Sequence, residues 1–160
     1  MISRRARNWV AMGLSMAVVA AAPSAAMAEV CHGVPGGVRL LLRVLGVRSD
    51  KGQLAVTVYG DNKKTFLKEQ GEVETIYDPA KTGVATICLT LPHAGHYAFV
   101  VYHDVNANKD LDTGVLGIPK EGYAFSNNVR PVLSAPSYDS AKIDVAASGD
   151  TTAEVRLRYP

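Results

Sequence analysis

Hydrophobic and polar positions alternate with period two over much of this chain. Residues 38–44 (VRLLLRV) and 53–59 (QLAVTVY) are apolar runs flanking Ser49-Asp50-Lys51-Gly52, a turn whose glycine can take positive φ, and together they predict a hairpin. Farther on, Ala85, Ile87, Leu89 and Leu91 alternate with Thr86, Cys88 and Thr90. Pro92-His93-Ala94-Gly95 then breaks the run in a second hairpin turn, and residues 97–102 resume it with aromatic and β-branched side chains. Near the end, Ala153, Val155, Leu157 and Tyr159 face one way and Thr152, Glu154, Arg156 and Arg158 the other, the signature of a strand with one dry and one wet face. Residues 141–145 supply its predicted partner across Ser148-Gly149-Asp150. Only residues 65–70 lean towards helix, and they are too few to nucleate one alone. About seven short strands with close turns predict an all-β fold, a single antiparallel β-sandwich of immunoglobulin-like or transthyretin-like architecture with one long loop.

That loop begins at His103. Asp104, Asn106, Asn108, Asp110 and Asp112 fall on alternate positions, and oxygen-bearing side chains on a curled backbone are what a hard cation such as calcium requires. Counted as an EF-hand-like loop from Asp104, Asn106 and Asn108 stand at positions three and five, the Asp110 carbonyl at seven and Asp112 at nine. Position six, which favours glycine, is Lys109, and position twelve is Val115 where a bidentate glutamate is expected; Glu121 is the later residue that could swing in. Such a ligand set implies weak binding, with Kd on the order of 10⁻⁴–10⁻³ M. The competing reading is an ion-free turn, since Asp and Asn side chains hydrogen-bond nearby backbone and tolerate left-handed geometry.

The same segment carries a resemblance. His103-Asp104-x-Asn106-x-Asn108, Leu111-Asp112 and the block from Leu116 through Gly117, Ile118, Pro119, Lys120, Glu121, Gly122, Tyr123, Phe125 and Ser126 to Asn127-Asn128 resemble the domain-of-unknown-function family 2141 of exported bacterial proteins. Gly95-x-Tyr97-Ala98 and Ala141 extend the likeness over most of the chain. The resemblance implies a periplasmic or secreted β-rich domain and transfers no catalytic residue. Where the family pattern resembles Asp-x-Asn-x-Asn-Gly-Lys, this chain has Lys109 in the glycine position.

The first 28 residues read as a secretory signal peptide: Arg4, Arg5 and Arg7, an apolar run over 10–22, and Ala26-Met27-Ala28 before a cleavage after Ala28. The apolar run is far shorter than the roughly 20 residues that span a bilayer, so the mature chain 29–160 is expected to be one periplasmic or secreted domain without a transmembrane span. Loss of three arginines and no acid takes the formal net charge from +2 to −1, which leaves no basic field to suggest nucleic acid or anionic lipid as partner. In an oxidising compartment the two cysteines, Cys31 and Cys88, are expected to pair.

Catalytic patterns are weaker. His93-Ala94-Gly95-His96 is too short and too turn-like for a zinc pair. His103-Asp104 with Ser126 has the residue types of an acyl-transfer triad, but it lacks the G-x-S-x-G elbow and puts neighbours on opposite strand faces. Tyr123 and Phe125 share one face and, with Asn127 and Asn128, form a candidate ligand platform. The sequence therefore favours a binding or structural module of the bacterial envelope, with an envelope protein or polysaccharide as partner. A periplasmic hydrolase with its site in 103–128 is the alternative.

Overall fold

The computed structural model describes residues 30–132 and 134–160; the expected signal peptide lies outside the described residues. The chain is all-β, with strands β1 (His32–Gly33), β2 (Val38–Val47), β3 (Gln53–Tyr59), β4 (Glu74–Pro79), β5 (Gly83–Leu91), β6 (Gly95–Asp104), β7 (Tyr123–Phe125), β8 (Ile143–Val145) and β9 (Asp150–Arg156), a short α-helix, α1 (Tyr138–Ala141), and 3₁₀ turns at Val115–Gly117 and Ser126–Asn128. They form two sheets, ordered β1-β5-β2-β9 and β4-β3-β6-β7, with β8 added to β6.

One apolar cluster unites the sheets. Leu40, Leu42 and Val44 of β2 and Ile87, Leu89 and Leu91 of β5 meet Leu54, Val56 and Val58 of β3 and Tyr97, Phe99 and Val101 of β6. These are the alternating positions of the sequence, each worth roughly 1.5–3 kcal/mol when taken fully out of water. The second sheet is also covered on its outer face, where Tyr59, Phe66, Ala98, Phe125, Tyr138 and Ala141 form a smaller cluster. This second burial explains why β3 and β6 read as nearly continuous apolar runs.

The pairing differs from the sequence expectation in three ways. First, 38–44 and 53–59 do not form a hairpin: β2 pairs with β5 and β9, whereas β3 pairs with β4 and β6. A register shift between Leu45 and Val47, around Gly46 at φ 77°, precedes the crossing to the other sheet. Gly52, at φ 71°, completes it where a Cβ would lie 2.0 Å from the Asp104 carbonyl oxygen. The turn after Leu91 likewise crosses between sheets. Second, β8 pairs with β6 rather than β9. Third, the strands are not all antiparallel: β1 runs parallel to β5, and β9 parallel to β2. With its return connection placed through β8 on the other sheet, β9 enters alongside β2 in the same direction, and Arg43 and Glu154 pair across it at 2.7 Å.

Residues 65–70 form turns rather than a helix, with Leu67 and Gln70 at positive φ. A disulfide joins Cys31 to Cys88, Cα atoms 4.5 Å apart, and ties the segment before β1 to β5. Among the described residues no helix is long and apolar enough to cross a membrane.

Candidate functional site

The long connection leaving β6 is held by two buried carboxylates. Asp104, fully buried at the end of β6, accepts from the backbone N–H of Asn108 (3.1 Å) and Lys109 (2.8 Å) and from the Gln53 side-chain amide (2.7 Å). Glu121 reaches back from the far end to accept from Val105 N–H (2.9 Å) and Asp112 N–H (3.1 Å). A charged acceptor strengthens each bond, so these five donors fold residues 104–112 into a tight arch. Within it, Asn106 and Asn108 accept from backbone two residues on and donate their amides to the Asp112 carboxylate at 2.8 and 3.2 Å.

Of the expected cation ligands, Asp104, Asn106, Asn108 and Asp112 are thus gathered into one hydrogen-bonded cluster. Asp110 contributes a backbone N–H to Asn108 Oδ1, and Glu121 serves backbone donors. Among the described residues no three His, Cys, Asp or Glu side chains converge as a metal-binding group. Lys109 adopts φ 70°, the left-handed geometry for which glycine is suited, and its ammonium lies 5.3 Å from the Tyr77 ring centroid. Its carbonyl accepts from Tyr102 Oη at 2.9 Å. Burial pushes the Tyr102 phenol up, and the charges of Asp104, Asp110 and Glu121 push the same way.

His103 is committed elsewhere. Its Nε2 lies 2.8 Å from the Lys51 carbonyl, which can only accept, so Nε2 carries the proton and Nδ1 accepts from Tyr159 Oη at 2.7 Å. Tyr159 Oη in turn accepts from Arg48 N–H at 3.1 Å, and the Arg48 guanidinium lies 4.1 Å from the Tyr159 ring centroid. Ser126, also fully buried, accepts from Phe99 N–H at 3.0 Å. His103, Asp104 and Ser126 therefore have separate partners. His93 lies against Tyr97, and His96 pairs with Asp144.

Among the described residues, a cleft of about 400 Å³ lies over the outer face of the second sheet. Val100, Tyr123 and Phe125 form its sheet-borne wall, Leu111 and 117–119 another, and Pro131, Val132, Ser134 and Ala135 a third. The Tyr123 and Phe125 rings meet edge to face at 6.0 Å. Ile118 and Val132 stand 58% and 86% exposed at this cleft, unusual for aliphatic side chains with a pocket to enter. Asn127 and Asn128, expected on the same platform, are instead tied to backbone. Asn127 donates to the Ser140 and Lys142 carbonyls, and Asn128 both donates to Glu154 O and accepts from Arg156 N–H, capping the outer edge of β9.

The family of uncharacterized proteins conserved in bacteria, DUF2141, matches residues 42–154. The chain belongs to this family. No curated protein and no solved structure matches it. The DUF2141 block expected from the sequence now has physical roles: Ile118 O accepts from Gly114 N–H, Lys120 N–H donates to Asp112 O, Glu121 clamps the arch, and Gly122 O accepts from His103 N–H. Gly122 also makes room for Tyr159.

The sequence reading missed Gln53, Tyr159 and the wall of Pro131, Val132, Ser134 and Ala135. Gln53 and Tyr159 act across 51 and 56 residues of chain, a separation no local pattern reveals. The cleft had a signal in Ile118 and Val132, aliphatic residues beside prolines in segments with no strand or helix period.

Proposed function

We propose that this DUF2141 chain is an exported β-sandwich of immunoglobulin-like or transthyretin-like type that serves as a binding module of the bacterial envelope, capturing its ligand in the cleft over Tyr123 and Phe125. The observation that carries this reading is the make-up of the cleft: aromatic and aliphatic walls with two exposed aliphatic residues, and, among the described residues, the hydroxyls of Tyr123 and Ser134 without a carboxylate, imidazole, thiol or amine lining it beside them. Concave apolar surfaces of this size are the usual form of ligand sites, and a hydroxyl becomes a nucleophile only with a general base beside it to take its proton. The disulfide between Cys31 and Cys88 supports export, because such bonds persist in oxidising compartments. Envelope protein, polysaccharide and lipid fractions incubated with wild type and with Ile118→Asp/Val132→Asp test the proposal. Saturable capture by wild type that the variant loses with its fold intact supports it. Capture unaffected by the variant overturns it.

A second reading concerns the arch, which we propose also holds a calcium ion weakly. Its support is the meeting of the Asp104, Asn106, Asn108 and Asp112 side chains in one cluster. Two carboxylates with two neutral amides belong to the weak end of calcium affinities, Kd on the order of 10⁻⁴–10⁻³ M.

A further inference from the structure

We infer that the ligand of the cleft is an anionic amphiphile, a single acyl chain lying in the trough with its acidic headgroup against Arg158, Arg130 and Lys120. The inference rests on the binding-module reading and names the ligand class of the same cleft.

The trough offers little to a polar chain. Val100, Leu111, Ile118, Phe125 and Val132 bring no side-chain donors or acceptors, Pro119 and Pro131 lack even a backbone N–H, and among the described residues Tyr123 and Ser134 supply the lining's side-chain hydroxyls. A sugar or an extended peptide would bury groups here that the cleft cannot pair, at a desolvation cost per group that an acyl chain does not incur.

Charge fixes the other end. Tyr123 and Arg158 form an antiparallel bridge, N–H to carbonyl in both directions at 2.9 Å, so their side chains emerge on the same face. Arg158 is half-buried there, and among the described residues its guanidinium makes one hydrogen bond, Nη2 to Asn128 O at 3.3 Å, which leaves most of its five donors for an anion. Arg130 adjoins the cleft residue Pro131, and Lys120 adjoins Pro119; both are exposed. Arg158, Arg130 and Lys120 have no acidic partner within ion-pair distance among the described residues, whereas Arg39 and Arg43 on the other sheet do. Of the acids near the cleft residues in sequence, Glu121 beside Lys120 is buried and accepts from the Val105 and Asp112 N–H groups, Asp110 and Asp112 flank Leu111, and the Asp112 carboxylate already receives the Asn106 and Asn108 amides. Unpaired cations around an apolar trough match an acid on an apolar tail.

Titration of the full mature protein with dodecanoate, dodecanol and acetate, each below its aggregation threshold and followed by backbone amide shifts, tests this. Dodecanoate is expected to bind saturably with shifts at Val100, Tyr123 and Val132, and acetate not to bind. Arg130→Gln/Arg158→Gln is expected to weaken dodecanoate about tenfold or more while leaving dodecanol unchanged. If Arg158→Gln perturbs the fold, Lys120→Gln/Arg130→Gln, at two exposed positions, is expected to give a smaller loss of the same sign. Equal affinity for dodecanoate and dodecanol, or no loss in either variant, overturns the inference. Absence of dodecanoate binding alongside envelope capture that still requires Ile118 and Val132 rejects this ligand class and leaves the binding module standing. Loss of both rejects both.

Discussion

The ring of Tyr159 occupies the space that a side chain at Gly122 would need: a Cβ there would fall 2.4 Å from Tyr159 Cε1 and Cζ. This close approach brings the Tyr159 hydroxyl to His103 and joins the end of the chain to the carboxylate-clamped connection. Gly122→Ala is therefore expected to destabilise by about 1–3 kcal/mol, the usual cost of overpacking. Tyr159→Phe, which strands the Nδ1 acceptor of buried His103, should cost a similar amount, about 1–3 kcal/mol. Urea denaturation measures both, and wild-type midpoints would show that the contact carries no packing energy.

Lys109 holds a left-handed backbone at φ 70°. Lys109→Gly is expected to stabilise the protein by up to about 1 kcal/mol by removing the Cβ penalty, less whatever the contact with Tyr77 contributes. Asp104→Ala should do the opposite, by about 3 kcal/mol or more, because it leaves the Asn108 and Lys109 N–H groups and the Gln53 amide without their charged acceptor. A loss of stability in the first and none in the second would contradict the described arch.

Calcium should raise Tm. At about ten times Kd the gain is about 1.4 kcal/mol, readable by differential scanning calorimetry. Asp112→Ala is the clean control, since the Asp112 carboxylate receives only the Asn106 and Asn108 amides, whereas Asp104 is needed by the fold itself. A Tm unmoved by millimolar calcium would leave the arch as an ion-free turn.

Alkali should unfold this protein cooperatively. Burial pushes the phenols of Tyr59, Tyr97, Tyr102, Tyr138 and Tyr159 above their ordinary value of 10.0. In the unfolded chain these phenols lose their protons near pH 10 while the folded chain still holds them, so the unfolded state binds fewer protons and stability falls as pH rises. Stability from this source is complete below about pH 10 and is lost above it. Tyrosinate absorbance should lag behind the titration of free tyrosine and appear together with loss of the β-sheet circular dichroism. Ionisation of all phenols near pH 10 in a still-folded protein would contradict this.

Much of the sheet interior was legible in the sequence because period two is a local property. Ile87, Leu89 and Leu91 declare a buried face regardless of which strand lies beside them, and Cys31 and Cys88 are the only two cysteines available to pair. Strand partnership was not legible in the same way. The segments 38–44 and 53–59 are separated by a good turn, yet they enter different sheets because each finds its ladder partners farther along the chain, and neither the turn nor the alternation encodes that choice. The parallel approach of β9 to β2 is nonlocal in the same sense. At the site, the Asp and Asn alternation falls within the arch, but the donors to Asp104 and Glu121 are mostly backbone N–H groups, which no side-chain pattern records. Asn127 and Asn128 read as ligand groups because an exposed amide and one that caps a strand edge have the same sequence signature.

The central claim is that the cleft over Tyr123 and Phe125 is where this protein meets its ligand. Its most direct test is a backbone amide shift map of the mature protein titrated with the envelope fraction it captures. The expected result is saturable shifts concentrated at Val100, Leu111, Ile118, Tyr123, Phe125 and Val132, absent in Ile118→Asp/Val132→Asp. Shifts centred instead on His93, His96 or the 104–112 arch, with the cleft amides unmoved, would contradict it.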